Sequence, residues 1–497
     1  MEPSLPPDRI PKRRLGQLLL AVVLTGLALA GCALGPDYQP PKTQVTPEFR
    51  GPGQSETHSL ADLPWWNLFQ DLDLLGLINQ ALTNNYSLQQ VVAQVEQARQ
   101  QITIARSPLF PQLGYFGSLA RGKNSIAGNP IPGNGGSTIN VPMILGAASW
   151  ELDVWGQIRR LTEAARAQYL ATAEGERNIR LILVSELASA YFDLLTLDDQ
   201  SEIQRNATNA YTGTLKIFQD RLQGGVASRL ETDRATAALA RAASTVPDLE
   251  RRVVAAENAI NLLLGKPPGP VVRGSKSVGQ QTALGPEIPA GMPSDLLQRR
   301  PDVAAAEQML VAANALIGAN KAQFFPQISL TGLFGQGSTA LDAFTGGSSR
   351  ILSIAAGVTG PLLQGGRIRA QYRAAKAAYD AALAQYEQVV LNSLREVSDA
   401  LVARQKYIAV RVESEKAVVA LESSVKISTD RYLNGRASYF EVLEAQQQLY
   451  PTQAELSRAR FAEAKAVVDL YRALGGGWNL TNNPAWTAPT ATATLGQ

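Results

Sequence analysis

Among 497 residues there is one cysteine, Cys32, and one histidine, His58. Structural zinc, iron–sulfur clusters and disulfide frameworks each need several such ligands on one chain, so all three are excluded. A nucleophile system built on histidine would have to use His58, which lies in the polar stretch Glu56-Thr57-His58-Ser59 and reads as a solvated linker residue. There is no phosphate-cradling Gly-x-x-x-x-Gly-Lys, and an enzymatic reading has no site to name. Charge of one sign is also scarce: 46 Lys+Arg stand against 43 Asp+Glu, and Arg9, Lys12, Arg13 and Arg14 supply part of the net +3. A nucleic-acid footprint needs clustered basic surface, so no nucleic-acid partner is expected. Beyond residue 32 no apolar run approaches the ~18–20 residues of a spanning helix. A mature chain that crosses a membrane must therefore do so with strands. What is present is ample apolar material, 45% hydrophobic against 18% charged, enough to bury cores.

The N-terminus reads as an address. Basic residues at 9–14 precede an apolar run from Leu15 to Ala30, and Leu29-Ala30-Gly31-Cys32 follows. This is a short secretory signal, and the tetrad resembles a bacterial lipobox. The expectation is cleavage before Cys32, diacylglycerol on its thiol and an acyl group on the new amine. Several acyl chains, at about 0.8 kcal/mol per CH₂, hold a protein where one chain would not. Ala33, in place of an Asp, reads as outer membrane. No other cofactor and no metal is expected.

An internal repeat organises the rest. Phe110-Pro111-Gln112-Leu113 matches Phe325-Pro326-Gln327-Ile328, with the prolines 215 residues apart. Gly156-Gln157-Ile158-Arg159 matches Gly366-Arg367-Ile368-Arg369, and Arg221…Gly225-x-Ala227-Ser228-x-x-Glu231 matches Arg431…Gly435-x-Ala437-Ser438-x-x-Glu441, both at 210. Leu264-Gly265 and Leu474-Gly475 close the two halves at the same offset.

Each half reads in one order. A helix, Leu72 to Arg106 or Ser294 to Gln323, ends near Pro108/Pro111 or Pro326. Alternation then begins, with Ile328, Leu330, Gly332 and Phe334 on one face and Ser329 and Thr331 on the other. Turn-rich segments, Gly122–Thr138 and Gly335–Arg350, lead to return strands at Ile139–Val154 and Ile351–Leu363. Phe110, Tyr115, Phe116, Trp150, Trp155, Phe324 and Phe325 gather near the hairpin bases, as interfacial aromatics do. From Gln157 to Gln223 and from Arg367 to Asn434 no proline occurs, which predicts helices of about 100 Å at ~1.5 Å per residue. Tyr372, Tyr379 and Tyr386 recur every seven residues, a coiled-coil-like seam. Gly224-Gly225 and Asn434-Gly435 then reverse the chain.

Four strands cannot close a barrel, and an open sheet would leave unpaired backbone in lipid. Three copies give a 12-stranded barrel. The predicted fold is an α+β membrane protein: a trimeric barrel, four strands per chain, continued by a periplasmic α-helical coiled-coil barrel, with an internal twofold repeat. The expected segments are a signal peptide (1–31), a lipid-anchored extension (32–71), a first repeat (72–265, hairpin 107–156), a linker (266–293), a second repeat (294–475, hairpin 324–364) and a tail (476–497).

The chain resembles the bacterial outer-membrane efflux factors, the TolC-like family, most closely its lipid-anchored multidrug branch. The matching pieces are Leu-Ala-Gly-Cys-x-x-x-Gly-Pro-Asp-Tyr at 29–38 (x being any residue), Pro64-Trp65-Trp66-x-x-Phe69-x-Asp71, Leu297-x-Arg299-Arg300-Pro301-Asp302-Val303-x-x-Ala306-Glu307 and Phe325-Pro326-x-Ile328-x-Leu330-Thr331-Gly332. Gln364 departs from the Asp often found before the Gly-Gly.

The resemblance implies a homotrimeric conduit in outer-membrane lipid, with a periplasmic adaptor and a proton-driven inner-membrane pump as partners and no chemistry of its own. It implies adaptor docking at Gly225, Val226, Ala227 and Ser228 and at Gly435, Arg436, Ala437 and Ser438. It also implies a periplasmic gate at Glu441 and Glu444, with Tyr432 and Glu231 in the network that holds it closed. Taken alone, a Glu pair three residues apart is an ordinary solvated helix face. Two other readings remain at this level: the conduit of a type I protein secretion system, with the same fold, and a structural coiled-coil lipoprotein, which leaves the paired strands unexplained.

Overall fold

The computed structural model describes residues 33–43, 48–50, 60, 63–69, 71–123, 125–126, 129–130, 138–274, 293, 296–338 and 344–476. The expected signal peptide, Cys32, His58, most of the linker, the tail beyond 476 and parts of both hairpin tips lie outside the described residues.

The element order states the duplication. The first half runs α1 (Trp65–Leu68), α2 (Leu72–Asn84), α3 (Tyr86–Arg106), β1 (Gln112–Lys123), β2 (Ser125–Ile126), β3 (Asn129–Pro130), β4 (Thr138–Leu152), α4 (Gln157–Gln223) and α5 (Arg229–Leu263). The second runs α6 (Leu296–Arg299), α7 (Pro301–Ala322), β5 (Gln327–Gly337), β6 (Arg350–Thr359), α8 (Arg367–Leu433) and α9 (Tyr439–Ala473). Both α4 and α8 have 67 residues. The glycines that punctuate the repeat share a conformation: Gly156 and Gly366, Gly225 and Gly435, and Gly265 and Gly475 all have positive φ, between 68° and 84°. Only glycine enters that region without a Cβ penalty, so the turns, rather than the helices between them, hold the register of the repeat.

The opening helix of each half departs from the continuous helix expected. The first is interrupted at Asn85, between α2 and α3, and the second at Arg300, between α6 and α7. These two positions are 215 apart, the offset of the Phe-Pro-Gln landmarks. Pro301 explains the second break, because the residue before a proline is steered away from αR. At the first, the Asn85 carboxamide oxygen accepts from Leu88 N (3.0 Å), an N-cap bond that starts a new helix.

The chain forms two compact units. One comprises Val95–Ala171 and Ala306–Gln385 with the N-terminal stretch to Pro41; the other comprises Lys42–Gln94, Thr172–Ala305 and the remainder from Tyr386. The first holds an antiparallel sheet in the order β1-β4-β5-β6, so β4 and β5 join the two hairpins and β1 and β6 form the edges. The second unit holds the main core, in which Trp65, Leu68, Tyr191, Phe192, Ile260 and Tyr471 are fully buried. Burial of side chains this size is worth about 1.5–3 kcal/mol each. Asp71 starts α2 by accepting from Asp73 N (2.8 Å), and its other oxygen accepts from the Tyr191 hydroxyl (2.9 Å). Burial and that neighbouring carboxylate push the Tyr191 hydroxyl well above its ordinary pKa. The Pro-Trp-Trp-x-x-Phe-x-Asp run thus serves packing.

Candidate functional sites: the hairpin sheet and the helical turns

Strand pairing sorts the sheet into two unlike faces. Leu113, Ala148, Gly332 and Ile354 lie in one row across the four strands, and Tyr115, Gly146, Phe334 and Leu352 in the next. The same face continues through Trp150, Leu330 and Ala356, then Leu152, Ile328 and Val358; at its other end are Pro142 and Ile144, the latter in a row with the polar Gln336 and Arg350. Gln112, Ser149 and Thr331 share the opposite face with Glu151, Ser329, Gln327 and Thr359. Phe116, Val141, Met143, Leu145, Leu333 and Ile351 also fall there, whereas Tyr115 and Trp150 lie on the first face. Tyr115, Phe334, Leu352 and Ile354 are all exposed on the apolar face. Ten residues of β4 at ~3.3 Å each, in a strand tilted by ~40°, give an apolar band about 25 Å high, the height of a membrane barrel belt.

Aromatic donors secure the hairpin bases. Trp155 stacks on Phe325 (4.8 Å between centroids) and donates its Nε1–H to Pro326 O (2.7 Å). Trp150 donates to Leu109 O (2.9 Å).

In the helical unit, the two chain reversals share a backbone. Gly225 N donates to Leu222 O (3.0 Å) and Val226 N to Arg221 O (2.9 Å); Gly435 N donates to Tyr432 O (2.9 Å) and Arg436 N to Arg431 O (2.8 Å). Both are Schellman closures, in which a left-handed glycine lets two amides satisfy the last helix carbonyls. Of the proposed docking residues, Gly225, Val226, Ser228, Gly435, Arg436 and Ser438 are exposed; Ala227 and Ala437 are half-buried.

The gate candidates do not all come together. The Glu231 carboxylate accepts from Ser228 N (2.8 Å) and completes a capping box that starts α5. Ser438 makes no such side-chain bond, and Glu441 instead reaches Arg431 at 3.7 Å. Glu444 is exposed, whereas Val442 and Leu443 beside it are buried. The Tyr432 hydroxyl accepts from Arg221 Nη1 (2.7 Å), a bond that ties the two reversals to each other. Tyr432 packs edge-on against Tyr439 (4.8 Å), which meets Phe218 (4.9 Å) and hydrogen-bonds Thr214. Burial, with Tyr450 and Tyr439 adjoining, pushes the nearby Tyr211 hydroxyl up to about 12.

Asn85 was missed by the sequence reading, and Arg300 was read there only as part of a motif, without its linking role. Asn85 Nδ2 donates to Leu263 O (2.8 Å), the last carbonyl of α5, and Arg300 Nη1 donates to Ala473 O (2.8 Å), the last of α9. Each half is thus closed from its opening helix break to its final helix end. Arg300 is buried and also binds Asp302 (2.7 Å) and Glu396 (2.8 Å), which hold its pKa above the ordinary value despite burial. The Arg-Arg-Pro-Asp-Val motif is this closure; the clue was the motif's position 215 residues after Asn85.

Two β-hairpins joined in one four-stranded sheet, each followed by a long helical hairpin, define a membrane-channel protein. The family profile described as outer membrane efflux protein matches residues 77–266 and 292–476. The chain is 33% identical over 465 residues to the solvent efflux pump outer membrane protein SrpC of Pseudomonas putida, covering 92% of this chain and 98% of that one. It is 34% identical over 473 residues to outer membrane protein OprJ of Pseudomonas aeruginosa, covering 93% and 96%. The open-state crystal structure of the Neisseria gonorrhoeae MtrE outer membrane channel superposes with a TM-score of 0.81 at 28% identity, covering 90% of this chain and 98% of that one. The chain belongs to the outer membrane efflux protein family. It is a non-enzymatic outer-membrane channel of a tripartite efflux system, with a periplasmic helical extension.

Proposed function

We propose that three copies pair β1 of one chain with β6 of the next to close a 12-stranded barrel, anchored additionally by lipid on Cys32. The reading rests on the sheet, whose two edges are unpaired among the described residues and whose apolar face runs across four strands. Unpaired edges are untenable in lipid, and closure by identical copies satisfies them all. The exposed helical reversals receive a periplasmic adaptor, beneath which a proton-driven inner-membrane pump loads small toxic compounds, solvents and drugs among them. Glu441 and Glu444, tripled around the axis, form a cation-concentrating constriction.

Mass measurement in detergent tests the assembly: a trimer is expected, and a monodisperse monomer overturns it. Leu330→Arg and Phe334→Arg should abolish the trimer, at about 2–4 kcal/mol each near the membrane midplane, while Thr331→Arg keeps it. In planar bilayers, Glu441→Gln with Glu444→Gln should reduce cation preference at matched salt. Unchanged selectivity removes the pair from the aperture.

A further inference from the structure

The apolar face of the sheet is not smooth. Between the ridges of Leu113 on one side and Phe334, Leu352 and Ile354 on the other lies a crevice of about 390 Å³, floored by Gly146, Ala148 and Gly332. The paired Ala148 and Gly332, with Gly146 two residues along β4, leave the backbone bare in the middle of an otherwise bulky belt.

A second feature leads toward it. The stretch that follows Cys32 is seated in a track cut by glycines. A Cβ on Gly156 would lie 2.7 Å from Ala33 Cα, and one on Gly35 would collide with the backbone of Gly318. Leu34 N donates to Trp155 O (3.1 Å), Asn314 Nδ2 to Pro36 O (3.0 Å), and the Tyr38 hydroxyl to Glu307 (3.1 Å). Arg160, buried with its side chain 6% exposed, holds Leu34 O (3.3 Å) and Asp37 (2.8 Å). Ala33 lies against the turn that directly follows β4. The covalent chain leaves residue 32 one ~3.8 Å step further on. Trp155 and Gly156, which Leu34 and Ala33 meet, lie three and four residues past the end of β4 at Leu152, and the crevice residue Ala148 is four residues back along the strand from Leu152, about 13 Å. An acyl chain spans about 15 Å, half of the ~30 Å hydrocarbon core.

We propose that the crevice is the seat of an acyl chain carried by Cys32. The proposal rests on the lipid-anchor reading above. The seated stretch sets the origin of the chain just past the strand end, and the glycine floor receives its methylenes on the barrel wall. The lipid then acts as a packed part of the sheet and ties each chain's N-terminus to β4 and β5. Bulk lipid has no such fixed origin.

The test feeds cells a diazirine-bearing fatty acid, irradiates intact outer membranes, and maps cross-linked peptides of the full-length protein by mass spectrometry. The expected product joins the acylated N-terminal peptide to the peptide carrying Gly146–Ala148 or Gly332–Phe334. A Cβ on Gly332 would meet Ala148 Cβ at 3.7 Å, ordinary contact, so a larger side chain there fills the crevice. Gly332→Leu with Ala148→Leu should cut this product at least fivefold, whereas Thr331→Leu on the other face leaves it unchanged. Phospholipid adducts at the crevice in place of the N-terminal peptide, or N-terminal cross-links confined to other segments, overturn the proposal in the wild-type protein alone. An N-terminal peptide without acyl groups refutes the anchor reading itself, and its mass distinguishes that failure from the others.

Discussion

The two helical reversals are copies with one carboxylate re-employed. At the first, Glu231 closes a capping box with Ser228; at the second, the equivalent Glu441 leaves Ser438 and faces Arg431. The two Schellman bonds around Gly225 recur around Gly435, and the first reversal adds a bond from Ala227 N to Arg221 O (3.2 Å). Duplication therefore preserved the turn, which left-handed glycine makes costly to alter, and diverged in a side chain whose capping bond is worth only about 1 kcal/mol. A difference that small is available to function. Arg221 and Arg431 show the same economy: one donates to the Tyr432 hydroxyl, the other pairs with Glu441.

The comparison can be broken most strongly at the glycines. A Cβ at either Gly225 or Gly435 meets nothing within 4 Å, so Gly225→Val and Gly435→Val should each cost only backbone strain, about 1–2 kcal/mol. Amide hydrogen exchange at residues 221–232 and 431–442 reads this locally, and equal acceleration in the two segments is expected. Unequal costs would mean the turns are not equivalent.

The caps should then separate them. Ser228→Ala is expected to cost about 1 kcal/mol and Ser438→Ala no more than a few tenths, because only the first side chain makes the bond. Exchange at the Glu231 and Glu441 amides checks it. Tyr432→Phe, which removes the link between the reversals, should cost about 0.5–1 kcal/mol, given its exposed partner Arg221. That loss should speed exchange in both segments, where a purely local role would affect one.

The smallest expected effect lies further along the helices, where half-buried Asp199 of α4 corresponds to Ala409 of α8. Burial raises the Asp199 pKa above the ordinary value, against the pull of Arg460. A raised carboxyl pKa penalises the folded state when the group is ionised, and the penalty disappears as pH falls through the folded value to below ~4. Asp199→Asn should therefore stabilise the protein by a few tenths of a kcal/mol at neutral pH, with no gain at pH 3, measured as thermal unfolding across that range.

Much of this architecture was legible in the chain because it is written in local chemistry. Prolines beside Phe110 and Phe325, glycines at fixed offsets and proline-free stretches of 67 residues set the order and length of the elements. Period-two alternation from Ile328 to Phe334 marked a face before the pairing was known. Pro301 marks the break at Arg300 locally, whereas Asn85 carries no such signal, and neither residue shows its partner. Their bonds go to Leu263 and Ala473, 178 and 173 residues away, and no local pattern encodes a partner at that distance. The capping pattern Ser-x-x-Glu occurs in both halves, yet packing decided which carboxylate would use it. The alternation of single strands likewise said nothing of the crevice. It exists because Ala148 and Gly332, small for no reason visible in either strand alone, become neighbours when β4 pairs with β5. Sequence by itself determined where the chain turns and which side of each strand is apolar, since steric limits and periodicity act within a few residues. The tertiary structure alone decided which turns are joined, which charges meet and where the apolar wall is hollow, since those depend on contacts between residues far apart in the chain.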